Sequence, residues 1–172
     1  MIYTGIGTRE IPDNIQSLMI KISFGLAKKG FTLRSGGANG SDSAFELGCD
    51  KFGGNKEIFL PWKGFNDNNS GLYLPYRIND CHPKAKELAE KFHPSWYNLS
   101  FGAKKLMIRN SHQVFGWDMD TPSDFIIAYT KDGKFSGGTG QALRISDYYN
   151  IKIYNLYDKN SIMEFTERFK IF

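Results

Sequence analysis

Apolar positions along the chain alternate between short unbroken runs and stripes at helical spacing, and most changeovers fall at glycine or proline. Residues 2–6, Ile-Tyr-Thr-Gly-Ile, form the first run and read as a short buried strand. Pro12 and Asp13 then open a helix whose Ile15, Leu18, Ile22 and Leu26 share one face until Gly30 stops it. Phe31–Arg34 is a second strand, residues 35–40 (Ser-Gly-Gly-Ala-Asn-Gly) a glycine-rich turn, and Asp42–Phe52 a second helix. Lys56–Leu60 is a third strand, closed by Pro61. Strand and helix in this alternation imply parallel strands joined by right-handed crossovers.

Beyond Pro61 the period disappears. Trp62–Asp80 is rich in Asn, Asp, Gly and aromatics and predicts a long loop, a feature that in compact domains tends to carry function. Pro83–Phe92 and Gly102–Gly116 read as helices, so residues 62–101 form a long aromatic-rich insertion. Asp124–Tyr129 is a fourth strand, Lys131–Ser136 a polar turn, and Gly137 opens a helix to about Tyr149. Ile151–Leu156 is a fifth strand, followed by a last helix from about Ser161. With no repeat and no linker, residues 1–172 are expected to form one Rossmann-like α/β domain. Its three layers would hold a mainly parallel five-stranded sheet flanked by helices.

This architecture gives the glycines a place. Gly5 and Gly7 follow the first strand, Gly36, Gly37 and Gly40 the second, and Gly137, Gly138 and Gly140 the fourth. Parallel topology brings all three turns to the same sheet edge, where the backbone can approach a ligand and helix N–H groups attract phosphate or carboxylate. The strand order is expected to reverse between the first and fourth strands, and ligands favour that crevice. Thr8, Ser35, Ser41 and Thr139 add hydroxyls in the same turns. Asp42 and Glu46 follow the second turn and admit two readings each. Asp42 is a first-turn acid or a ligand contact, and Glu46 closes a capping box with Ser43 or faces the pocket.

Composition sharpens this only in part. The 172 residues are 41% hydrophobic and 23% charged, ordinary for a folded domain. No apolar run reaches membrane-spanning length, and the N-terminus lacks the basic and apolar regions of a signal peptide, so a cytoplasmic protein without a membrane partner is expected. Cys49 and Cys81 show neither metal-ligand spacing nor a disulfide framework, and His82, His93 and His112 form no metal motif. No metal and no cofactor is implied. The net charge is +4, and residues 62–117 carry 8 basic against 4 acidic side chains, which suits an anionic partner.

Within that basic segment Lys105, Arg109 and His112 recur at i, i+4 and i+7, with Asn110 and Gln113 alongside. The stripe reads either as a solvated face or as a phosphate grip, for which an arginine can supply bidentate contacts. Trp62, Phe65, Tyr73, Tyr76, Trp96 and Tyr97 lie in the same segment and either pack the loop onto the sheet or stack nucleobases.

Taken in order, Gly5-Ile-Gly-Thr-Arg9, Ser35-Gly-Gly-Ala-Asn-Gly-Ser-Asp42, Arg109-Asn110 and Ser136-Gly-Gly-Thr-Gly140 resemble the motifs of the DprA (Smf) DNA-processing proteins. Those motifs run G-S/T-R, S-G-x-A-x-G-I-D, R-N-R and S-G-S/T. Residues 36–62 also resemble small YspA-like proteins of the same SLOG superfamily. The piece from His93-Pro-Ser-Trp96 through Arg109-Asn110 to Pro122-Ser-Asp124 looks like small phage and bacterial DprA-like proteins. The resemblance implies a Rossmann-like fold whose glycine turns bind a nucleotide, a nucleotide-derived small molecule or single-stranded DNA. Self-association into a homo-oligomer stays open. By position, Arg9, Gly36, Gly37, Arg109, Gly137 and Gly138 would line the pocket. The second Arg of R-N-R is Ser111 here. The superfamily also contains LOG-type phosphoribohydrolases with a G-G-x-G-T-x-x-E motif, which makes a nucleotide N-glycoside hydrolase or transferase the alternative reading. In this chain Gln141 and Arg144 replace the motif's threonine and glutamate. An arginine cannot supply the carboxylate that chemistry needs, leaving Asp42 or Glu46 as substitutes.

Overall fold

The structure, a computed structural model, describes residues 1–171. Six strands form one all-parallel sheet: β1 (Ile2–Gly7), β2 (Thr32–Ser35), β3 (Lys56–Leu60), β4 (Leu72–Tyr73), β5 (Phe125–Tyr129) and β6 (Lys152–Asn155). Their spatial order is β4-β3-β2-β1-β5-β6. The direction of winding therefore reverses between β1 and β5, and the two strands pair from Tyr3–Phe125 to Gly7–Tyr129.

The sheet has six strands rather than the expected five. The extra strand, β4, lies inside the segment read as loop, and its two residues pair Phe59 with Leu72 and Leu60 with Tyr73. Two residues among Asn, Asp and Gly carry no alternation. They are ordered because the edge of β3 offers free backbone groups, one of which takes the Leu74 N–H at the Leu60 carbonyl.

Strand alternation sends side chains into two separate cores. Tyr3, Leu33, Phe125, Ile127 and Tyr154 face one side, under α1 (Asp13–Lys28), α2 (Ser41–Phe52) and α6 (Lys159–Phe169). Phe125 sits at the centre of that core, with its ring centroid 4.7 Å from Phe169 and stacked on Tyr3 at 5.8 Å. Ile6, Ile126 and Ala128 face the other side, under α3 (Pro83–Phe92), α4 (Phe101–Phe115) and α5 (Gly137–Tyr148). The result is the three-layer α/β/α arrangement. Among the described residues no helix is long and apolar enough to cross a membrane.

The side of α4 turned to the sheet is unusually polar. Lys105, Arg109 and His112 are all buried, so the basic stripe is not a solvated face. The α4 helix is enclosed by the sheet, α3 and α5 at once. Helical period alone cannot say which face such a helix buries.

Candidate functional site

At the winding reversal the segments that follow β1 and β5 leave a cleft of about 380 Å³, roofed by α4 and by the start of α5. The first glycine turn contributes Gly7, Thr8 and Arg9, and the third contributes Gly137, Gly138 and Thr139. Arg109 and Asn110 reach the cleft from α4, and Asp42 from the first turn of α2. These are nine of the residues singled out from sequence. Lys131, one turn beyond β5, completes the lining. Sequence reasoning passed it over as part of a polar turn, although its position past the C-terminal end of a parallel strand was the available signal.

Five more of the residues singled out from sequence, Gly5, Ser35, Gly36, Gly37 and Gly140, lie outside the lining of the cleft. Gly5 backs onto the Phe45 ring, and Gly140 onto the Phe135 carbonyl. Ser35 is fully buried, and Gly37 sits against Leu60 and Asn68. Gly36 serves the site differently, because a methyl group there would overlap Nη1 of Arg109. Its missing Cβ is the space in which the guanidinium lies.

Arg109 is the centre of the arrangement. It is 4% exposed, and its Nη1 donates to Oδ2 of Asp42 at 3.1 Å, while Asp42 is 3% exposed. The same Asp42 oxygen accepts the Ala38 N–H at 3.3 Å. Burial pushes the Asp42 carboxyl up and the Arg109 guanidinium down, and their mutual attraction opposes both shifts. A guanidinium keeps its proton in proteins, so the pair is ionic. Nε of Arg109 is buried with no hydrogen-bond partner. A buried, unsatisfied donor on a cation lining a cleft is a cost that an anionic ligand would remove.

The two helix starts near the cleft differ. At α2 the Ser41 N–H and hydroxyl both donate to the Thr8 carbonyl, at 3.1 and 2.9 Å, so that helix end is already occupied. The turn closes through Gly40, whose φ of +85° no branched residue adopts comfortably. At α5 the preceding Ser136 makes no side-chain cap, and the first helical bond is Gly140 N–H to the Ser136 carbonyl. The amides of Gly137, Gly138 and Thr139 precede that bond, at the positive end of the helix dipole. Asn110 donates to the Gly138 carbonyl at 3.1 Å and ties this helix end to α4. At the cleft mouth Lys131 is paired with Glu10 at 2.6 Å, both exposed.

Glu46 forms no capping box. Helix α2 is capped by Gly40, Ser43 donates to the Gly40 carbonyl, and Glu46 turns back beneath the second glycine turn. There its Oε1 accepts the Gly37 N–H at 3.0 Å, and Asn68 donates to its Oε2 at 3.3 Å. Burial and then the neighbouring Asp42 charge push its carboxyl up to about 7. Arg144, at the position of the phosphoribohydrolase glutamate, is spent on the carbonyls of Phe92 and Phe135 at 2.7 and 2.6 Å. His112 is held neutral by burial, with its pKa pushed down to about 4. No cluster of His, Cys, Asp or Glu among the described residues could hold a metal ion.

No protein-family model and no curated protein matches this chain. Solved structures do. The DNA processing protein A of Helicobacter pylori, known for a single-stranded DNA binding mode, superposes with a TM-score of 0.57. The match covers 98% of this chain and 72% of that one, at 19% identity. The DNA processing protein A (DprA) of Streptococcus pneumoniae gives a TM-score of 0.51 over 90% of this chain and 49% of its own, at 14% identity. The chain has the DprA-like, Rossmann-type fold.

Proposed function

We propose that the cleft between β1, β5, α4 and α5 binds the phosphate of a nucleotide unit, presented by a nucleotide-derived small molecule or by single-stranded DNA. The observation that carries this is Arg109, a buried cation lining the cleft with an unsatisfied Nε–H. Arg9 adds positive charge, Lys131 adds a cation that a ligand can draw from its exposed pairing with Glu10, and the uncapped start of α5 adds backbone donors on the opposite wall. Single-stranded DNA is the ligand reported for the Helicobacter pylori neighbour that shares this fold.

Binding, rather than turnover, suits the residues present. Asp42 is the one acid among the lining residues, and it is committed to Arg109. Glu46, whose raised pKa would suit a general acid or base, lies beneath the glycine turn and outside the lining. A nucleotide N-glycoside hydrolase would need a free carboxylate over the sugar.

Calorimetric titration of a deoxynucleoside monophosphate into the parent, Arg109→Ala and Arg109→Lys proteins tests the proposal. Losing a buried, charge-assisted contact weakens binding by about 30-fold or more. Lysine should recover only part of the loss, because it cannot reproduce the planar fork. If both variants bind like the parent, the proposal is wrong.

A further inference from the structure

Helix α4 borders a second concavity. Its first turn, the short 3-10 turn at Trp96–Asn98 and helix α3 enclose an open groove of about 550 Å³ on the opposite side of the helix start from the glycine turns. The groove displays aromatic rings that contribute little to either core. Of the lining rings Tyr97 is 80% and Phe101 51% exposed, and Tyr76, 83% exposed, adjoins the groove with its ring 5.9 Å from that of Phe101. The platform extends towards the exposed Trp62, the ring nearest to Gly102. Arg77, Lys86 and Lys104 line the groove, against the single acid Glu90. Glu90 accepts the Tyr97 hydroxyl, which fixes that ring, and Lys104 lies over the Trp96 ring, so three cations face one carboxylate within the groove.

Exposed rings clustered beside cations form a surface that something flat and anionic would cover favourably. A second protein surface would need an acidic apolar patch to match. A single nucleic-acid strand supplies both components by its own chemistry, since every base has a face to stack and every link a phosphate. We infer that this groove is a stacking platform for the bases of single-stranded nucleic acid. Lys104 borders the groove and Arg109 the cleft, five positions apart on α4 and on nearly opposed faces, so a strand that reaches both passes around the start of the helix. The inference rests on the nucleotide reading of the cleft and names its longer ligand.

The test compares two probes, thymidine monophosphate and a fluorescein-labelled oligothymidylate of about a dozen nucleotides, a length within the site sizes of such binders. The variants are Tyr76→Ala/Phe101→Ala, Tyr97→Ala and Tyr76→Phe, all at exposed positions whose loss leaves the cores intact. Each alanine variant should weaken oligonucleotide binding by about 5- to 100-fold, leave monophosphate binding unchanged, and Tyr76→Phe should bind like the parent. Oligonucleotide affinity equal to the parent in both alanine variants overturns the platform, whatever the cleft does. Monophosphate binding with no gain for the oligonucleotide also overturns it. Oligonucleotide binding that survives Arg109→Ala but is lost in the aromatic variants upholds the platform and removes the cleft from the strand's path.

Discussion

Two buried acids on one helix, four residues apart, are both pushed up by burial but meet different partners. Arg109 opposes the shift at Asp42 and holds it as a counter-ion, whereas Glu46 faces the Gly37 amide and a side-chain amide, and the Asp42 charge adds to its desolvation. A carboxyl raised from 4.5 in the unfolded chain to about 7 in the fold favours the protonated native state. The stability it supplies is complete below the unfolded value and drains away as pH climbs through the folded one. The drop amounts to on the order of 3 kcal/mol between about pH 4.5 and pH 7. Glu46→Gln keeps an acceptor for Gly37 and has no proton to lose. Urea denaturation should find it more stable than the parent at about pH 8, with a flatter profile between about pH 5 and pH 8. A parent profile already flat over that range would show that Glu46 titrates normally. Asp42 invites the reverse experiment. Asp42→Asn should cost about 3–5 kcal/mol of stability by leaving a buried guanidinium without its counter-charge. It should also bind a nucleoside monophosphate more tightly, because the phosphate no longer competes with a carboxylate. Loss of binding in Asp42→Asn would instead make Asp42 a direct ligand contact.

At the scale of elements, the phosphate site is one helix start held against another helix, and the bond from Asn110 to the Gly138 carbonyl is the clasp. A side chain grown from Gly138 would first meet the flexible end of Met107, 3.0 Å from its Cβ, and then occupy the cleft. Gly138→Leu should therefore fold with little change in melting temperature and bind nucleotide at least about tenfold more weakly, as calorimetry and a thermal melt would show together. A leucine variant that binds normally would place the phosphate away from α5. The strand–helix alternation that builds this arrangement is legible in the sequence because each strand is an apolar run and each helix an apolar stripe. Three things are not. Strand β4 has too few residues to show a period and depends on the free edge of β3. The buried face of α4 carries Lys105, Arg109 and His112, and its polarity hides it from any hydrophobic pattern. The glycines share one letter but differ in what they make room for. Gly5 accommodates Phe45, Gly36 the guanidinium, and Gly138 opens onto the cleft.

At the scale of the molecule, charge decides what kind of partner the two concavities can serve together. The chain carries only +4 overall, so long-range attraction to a polyanion is modest and binding must rely on cations placed at the contact. Arg9, Arg109 and Lys131 converge on one cleft and would share a single phosphate, while Arg77, Lys86 and Lys104 are spread along the groove. Counterion release counts phosphates neutralised rather than cations present. A monophosphate has no condensed counterions to release and should show only ordinary screening, whereas a single strand reaching both cleft and groove should engage two to four phosphates, for a slope of log affinity against log salt of about −1.4 to −2.8. Sequence preference should be weak, since stacking accepts any base. Fluorescence anisotropy of a labelled oligothymidylate across a salt series reads the slope directly, and Lys86→Ala/Lys104→Ala should flatten it by about 0.7 for each phosphate released. If the oligonucleotide fails to bind even at low salt while the monophosphate binds, the single-strand reading falls and the cleft serves a small nucleotide alone.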